Sequence, residues 1–90
     1  MKRVRVFVSG RVQGVCFRAY TRQKASELGV DGFVRNLSDG RVEIVAQGEE
    51  NDVDSLVSWA SHGPSYAEVT DVSIEEEPAD RELEGFSIKY

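Results

Sequence analysis

"RVRVFVSGRVQGVCFRAYTRQKASELG" (residues 3–29) changes its period halfway along. The first part puts Val4, Val6 and Val8 on one face by strict alternation, which predicts a strand ending near Gly10. The last part sets Phe17, Thr21, Ala25 and Leu28 at spacings of three and four, which predicts a helix over 17–28. Gly29 follows where a left-handed helix cap is wanted. A strand and a helix joined by a short connection make the first half of a crossover, so the next strand should run parallel to the first.

Working outward, "VDGFVRN" (30–36) and "RVEIVAQG" (41–48) read as the second and third strands. Between them "LSDG" carries Asp39-Gly40, a hairpin signal. Val53, Leu56, Val57 and Ala60 follow i, i+3, i+4, i+7 and predict a second helix. Asn51 is expected to cap it, with Asp54 three residues on, and "HGP" (62–64) to close it. "EVTDVSIEE" (68–76) and "GFSIKY" (85–90) alternate as strands on either side of the charged "EPADRELE". The order β-α-β-β-α-β is that of a ferredoxin-like α+β sandwich, an antiparallel sheet with two helices on one face, here with a short C-terminal strand added. In this topology the third strand lies between the first two. The loop after the first strand and the end of the second therefore share one edge, about two strand spacings (roughly 10 Å) apart.

Composition limits what such a domain can do. Ninety residues, 40% of them apolar, form one domain over 1–90. No apolar stretch reaches 18 residues, so no membrane-spanning helix is expected, and the alternating N-terminus does not read as a signal segment. Cys16 is the single cysteine; it excludes an internal disulfide and suits a reducing cytoplasm. The net charge is −5, but residues 1–48 hold nine Lys/Arg against four Asp/Glu, whereas 49–90 hold two against twelve. An acidic chain is a poor nucleic-acid binder, yet its basic half can attract a small anion locally. No membrane partner is called for, and nothing demands more than a monomer.

Two motifs fall at the shared edge. In "GRVQGVCFR" (10–18), glycines let consecutive backbone N–H groups turn into an anion nest, and the following helix adds free N–H groups and its positive dipole end. Arg18, in the first helical turn, can add a two-pronged contact to phosphate oxygens. The same spacing suits an ordinary strand-to-helix turn, and no known phosphate-loop signature is present. In "GFVRNLSDG" (32–40), Asn36 ends the second strand, where its amide can accept from a water and donate to an anion, or satisfy a local turn.

Other reactive residues read as structural. A cysteine phosphatase needs five residues between its cysteine and its arginine, whereas only Phe17 separates Cys16 from Arg18; Cys16 reads as a small packed residue. His62, the sole histidine, falls at the C-terminal end of the second helix, where it interacts with the dipole. Trp59 borders the apolar stripe. The acidic clusters at 49–54 and 75–84 read as solvated faces, and no residue set suggests a metal site.

The long motifs "GRVQGVCFR" and "GFVRNLSDGRVEIVAQG" together resemble the acylphosphatase family, and the match in element order runs from about residue 3 to Tyr90. The resemblance implies a ferredoxin-like fold and hydrolysis of acyl phosphates without metal or cofactor. It implies that Arg18 binds the phosphoryl group, that Asn36 positions the attacking water, and that backbone amides of Val12, Gln13, Gly14, Val15 and Cys16 cradle the phosphate. Some family members carry a hydroxyl residue directly after the asparagine; this chain has Leu37. Two further readings share the topology: a carbamoyl-phosphate-handling domain of hydrogenase-maturation carbamoyltransferases, whose partner domains a ninety-residue chain lacks, and a non-catalytic small-ligand-binding module.

Overall fold

The computed structural model describes residues 1–90. They form β1 (Lys2–Arg11), α1 (Phe17–Leu28), β2 (Asp31–Asn36), β3 (Val42–Gly48), α2 (Glu50–Ala60), β4 (Glu68–Glu77) and β5 (Phe86–Lys89). The sheet order is β4-β1-β3-β2-β5. Neighbours are antiparallel except β2 and β5, which pair in parallel. β3 lies between β1 and β2, so those two strands run the same way, as the element order requires. Val4, Val6 and Val8 of β1, Val34 of β2 and Ile44 of β3 share one buried cluster with Phe17 and Ala25 of α1 and Val53, Leu56 and Ala60 of α2. Both helices thus cover one face of the sheet, in the ferredoxin-like arrangement.

The apolar spacing places α1 to the residue, and Gly29 ends it at φ 71° with its N–H donating to the Ser26 carbonyl at 3.2 Å. The second helix departs from expectation. It begins at Glu50, and the cap position is Glu49 in an extended conformation with no side-chain cap bond. Asn51 therefore lies inside the first turn, where its carbonyl accepts from the Ser55 hydroxyl at 2.9 Å. β3 delivers the chain to the helix two residues sooner than a capping box at Asn51 allows. Glu50 and Asp52 in the first turn meet the positive dipole end instead.

The opposite face of the sheet carries a ladder of charges. The Arg5 guanidinium donates to Glu43 at 2.7 Å and to Glu77 at 2.6 Å; Arg3 donates to Glu77 at 3.0 Å, and Arg35 to Glu43. Glu77 is thus ion-paired, while the other acidic residues of the 49–54 and 75–84 clusters, Asp52 apart, are exposed as the reading of solvated faces expects, Asp54 meeting Lys2 at 2.9 Å on the surface. Glu43 is only 3% exposed. Burial opposes its ionisation, but the hydrogen bonds from Arg35 and Arg5 outweigh burial and hold the carboxyl below the ordinary glutamate range. A depressed folded-state value means that this stabilisation is present above the unfolded value near 4.5 and disappears as pH falls through the folded one. Glu43→Gln is therefore expected to lose about 1–3 kcal/mol of stability at pH 7. In urea titrations, the gap from wild type should narrow as the pH drops below the glutamate range. A gap that does not vary with pH would refute the assignment.

Two local features aim the chain at the shared edge. The register of β1 against β4 shifts between Ser9 and Gly10, where Thr70 of β4 is the unpaired extra residue, and Gly10 takes φ 119° there. A bulge increases the local twist, and it does so here just before β1 ends at Arg11. On the other side of β3, Asn36 is the last residue of β2; it pairs with Val42, which in turn pairs with Val8 of β1. Alternation places Asn36 on the face of Val34, the side covered by helices.

Candidate active site

Residues 12–16 have no regular secondary structure but are firmly anchored. The side chains of Val12 and Val15 are 1% and 8% exposed and belong to the core cluster. Between them the backbone turns through Gly14 at φ 75° and ends at Cys16 at φ 62°, the only non-glycine residue with positive φ. A left-handed side-chain-bearing residue costs about 1–2 kcal/mol, and strain of this kind collects at functional sites. Here it permits the reversal from loop to helix, since Cys16 occupies the N-cap position of α1.

The hydrogen-bond pattern of this segment is incomplete. The amides of Val12, Gln13, Gly14, Val15 and Cys16 donate to no acceptor in the chain. The first amide after them to close a helical turn is that of Tyr20, to the Cys16 carbonyl at 3.1 Å. The first turn of α1 therefore adds its own free donors and the positive dipole end.

Val12, Gly14, Cys16, Arg18 and Asn36 all line one cavity of about 320 Å³, with Phe17, Ala19, Ile88 and Tyr90. Half-buried Arg18 has no carboxylate within ion-pair distance; its guanidinium lies over the Tyr90 ring, 4.9 Å from the centroid. Asn36 brings a second unpaired group, since its Oδ1 is buried without any hydrogen-bond partner. A buried acceptor left in this state costs about 1–3 kcal/mol. The structure thus brings together both side chains singled out by sequence and the loop between them. Unpaired donors cluster from one side and an unpaired carboxamide closes from the other, an arrangement that suits a tetrahedral oxyanion and a water beside it.

Residues 4–88 match the acylphosphatase family. The chain belongs to the acylphosphatase family. It is an enzyme of that family by sequence and by fold. Its sequence is 58% identical over 88 residues to an acylphosphatase of Rubrobacter xylanophilus, covering 98% of this chain and 80% of the relative. Its structure superimposes on the crystal structure of the acylphosphatase from Bacillus subtilis with a TM-score of 0.95, at 41% identity and full coverage of both chains. It is also similar, at 27% identity and a TM-score of 0.90, to a stretch of full-length HypF in its phosphate- and nucleotide-bound form; the match covers 99% of this chain and 12% of that one.

Some parts of this candidate site escaped the sequence reading. The Gln13 side chain donates from Nε2 to the carbonyls of Leu37 at 2.8 Å and Arg41 at 2.9 Å. Ile88 and Tyr90 of the last segment line the cavity, although alternation identified them only as parts of a strand. Cys16 is exposed in the cavity wall, not packed as expected, because its left-handed backbone holds it at the loop's end. Its place two residues before Arg18 still denies it the loop geometry of a cysteine phosphatase. His62 lies at the end of α2 as expected, its Nδ1 3.1 Å from the Ser58 carbonyl, and lines no part of the cavity. Trp59 packs against Phe17, with ring centroids 5.7 Å apart. No three His, Cys, Asp or Glu side chains are grouped to hold a metal ion, and no helix is long and apolar enough to cross a membrane.

Proposed function

We propose that the chain hydrolyses acyl phosphates to a carboxylate and inorganic phosphate in the cavity between the 12–16 loop and the end of β2. The observation that carries this reading is a loop of five unpartnered amides, three of whose residues (Val12, Gly14 and Cys16) line one cavity with an unpaired Arg18 and an unpaired Asn36. The loop amides and the Arg18 fork bind the phosphoryl oxygens. The Asn36 carboxamide accepts a hydrogen bond from water through the buried Oδ1 and directs that water at phosphorus. As the water oxygen bonds to phosphorus, the bond from phosphorus to the acyl oxygen breaks and its electron pair leaves with the carboxylate. The water's proton passes to a phosphoryl oxygen, since Asn36 is no base. A carboxylate is a good leaving group and needs no general acid. Phosphoryl transfer through a loose transition state needs mainly position and charge stabilisation, which amides and one guanidinium supply.

Relatedness to acylphosphatases supports this reading over a non-catalytic module, and the end-to-end match to the Bacillus subtilis enzyme favours it over a carbamoyltransferase role. Purified protein is expected to accelerate loss of benzoyl phosphate at a rate that EDTA leaves unchanged. Asn36→Ala is expected to lower kcat by about 10²-fold, the scale of one transition-state contact. The inhibition constant of inorganic phosphate should remain close to wild type in that variant. No acceleration by wild type would overturn the proposal, and near-normal kcat in Asn36→Ala would remove the water-positioning role.

A further inference from the structure

We infer that Gln13 is a positioning residue that sets Asn36 against the phosphate loop through its side chain; the inference rests on the function proposed above. The two halves of the site come from distant parts of the chain. The amides and Arg18 belong to one continuous stretch, from the loop into α1, whereas Asn36 ends β2. Within the 12–16 loop, the only side-chain hydrogen bonds to the β2–β3 hairpin are the two from Gln13 Nε2. They land on the carbonyls of Leu37 and Arg41, at 2.8 and 2.9 Å. These residues flank the turn, and the Leu37 N–H also donates to the Arg41 carbonyl at 2.8 Å. Leu37 directly follows Asn36 in the chain. Both acceptors are carbonyl oxygens, so only the NH₂ side of the Gln13 amide can face them, and its two hydrogens serve one acceptor each. A single carboxamide thus ties the loop to both ends of the turn behind Asn36.

This linkage predicts a specific kinetic pattern. The phosphate cradle is local to the loop and helix, so cutting the tie should spare phosphate binding. The placement of the water relative to phosphorus should suffer, because a displacement of about 1 Å at a reacting group can cost 10²-fold. Gln13→Met keeps length and apolar bulk but removes both donors. Gln13→Glu keeps the shape and sets oxygen against oxygen. Each is expected to lower kcat on benzoyl phosphate about 10- to 100-fold. For Gln13→Met, the inhibition constant of inorganic phosphate should stay within about threefold of wild type, whereas a merely structural role would weaken both.

The decisive measurement is the cycle with Asn36→Ala. If Gln13 acts through Asn36, Gln13→Met should cost little further kcat once the asparagine is gone, since coupled neighbours are not additive. Circular dichroism of each variant confirms the fold, and Gln13→Glu repeats the cycle should Gln13→Met fail to fold. Wild-type kcat in Gln13→Met, or a full additional loss on top of Asn36→Ala, would overturn the positioning role while leaving the hydrolase reading intact. Absence of turnover in the wild type would overturn that reading and this one with it.

Discussion

Arg18→Ala is expected to remove turnover of benzoyl phosphate and binding of inorganic phosphate together. The reason lies in what Arg18 does not do in the protein. It sits in the first turn of α1, meets no carboxylate, and contacts the Tyr90 ring at 4.9 Å, which leaves its positive charge uncompensated. A guanidinium free of protein acceptors beside five free amides offers its fork to whatever enters the cavity. A hydrogen bond to a charged group contributes about 1.5–3 kcal/mol, so two prongs correspond to a loss of at least 10²-fold in kcat and a similar one in phosphate affinity. Folding should be untouched: with no ion pair to lose, the urea midpoint is expected to move by no more than about 0.5 kcal/mol equivalent. Arg18→Lys keeps the charge but not the planar fork, and should fall between alanine and wild type. Phosphate inhibition, benzoyl phosphate kinetics and urea unfolding measured on the same preparations test all of this. A folded Arg18→Ala within tenfold of wild-type turnover would refute the assignment.

That cavity was only partly legible in the sequence. Alternation and helical spacing are local signals, and they place α1 at Phe17–Leu28 and leave β3 as the strand between β1 and β2. Arg18 and Asn36 were legible for the same reason: they terminate or begin elements whose direction follows from the order of elements. Contacts across long sequence separations leave no such trace. Gln13 lies 24 residues before Leu37, and nothing in "GRVQGVC" shows that its side chain turns to a hairpin. Cys16 was read as packed because free cysteines usually are; the left-handed turn that exposes it belongs to the loop-to-helix geometry. Asn51 suited the rules for a helix cap, but tertiary register decided the start of α2, since β3 ends at Gly48 and leaves only Glu49 before the helix. The charge ladder of Arg5, Glu43, Arg35 and Glu77 joins four strands, so it becomes visible only once their register is known.

The largest effect on stability is expected from a substitution far from any ligand, Gly32→Ala. Gly32 lies inside β2, buried, with β3 on one side and β5 on the other. Its φ is +145°, a region that side-chain-bearing residues rarely enter, and that conformation alone costs on the order of 1–3 kcal/mol for alanine. A Cβ there would also stand 1.8 Å from the Val45 carbonyl oxygen and 2.8 Å from its carbon. Both are backbone atoms of β3, so no side-chain rotation relieves the overlap; β2 and β3 must separate or β2 must change its dihedral angles. Either response disturbs the rung to Ala46 and the bond from the Gly32 N–H to the Gly85 carbonyl at 2.8 Å, which starts the pairing with β5. A loss above about 4 kcal/mol takes from about a third to nearly all of the margin of a small domain, which is roughly 0.05–0.15 kcal/mol per residue. Gly32→Ala should therefore lose at least about 4 kcal/mol in urea unfolding followed by circular dichroism at 25 °C. Gly40→Ala provides the control: Gly40 has φ +97° but no atom within 4 Å of the added carbon. It carries the conformational cost without the collision and should lose only about 1–2 kcal/mol. Equal losses in the two variants would show that dihedral strain alone matters and that the tight approach of β2 to β3 does not. A large difference would identify that approach as what holds β2, and with it Asn36 four residues further on, at its distance from the 12–16 loop.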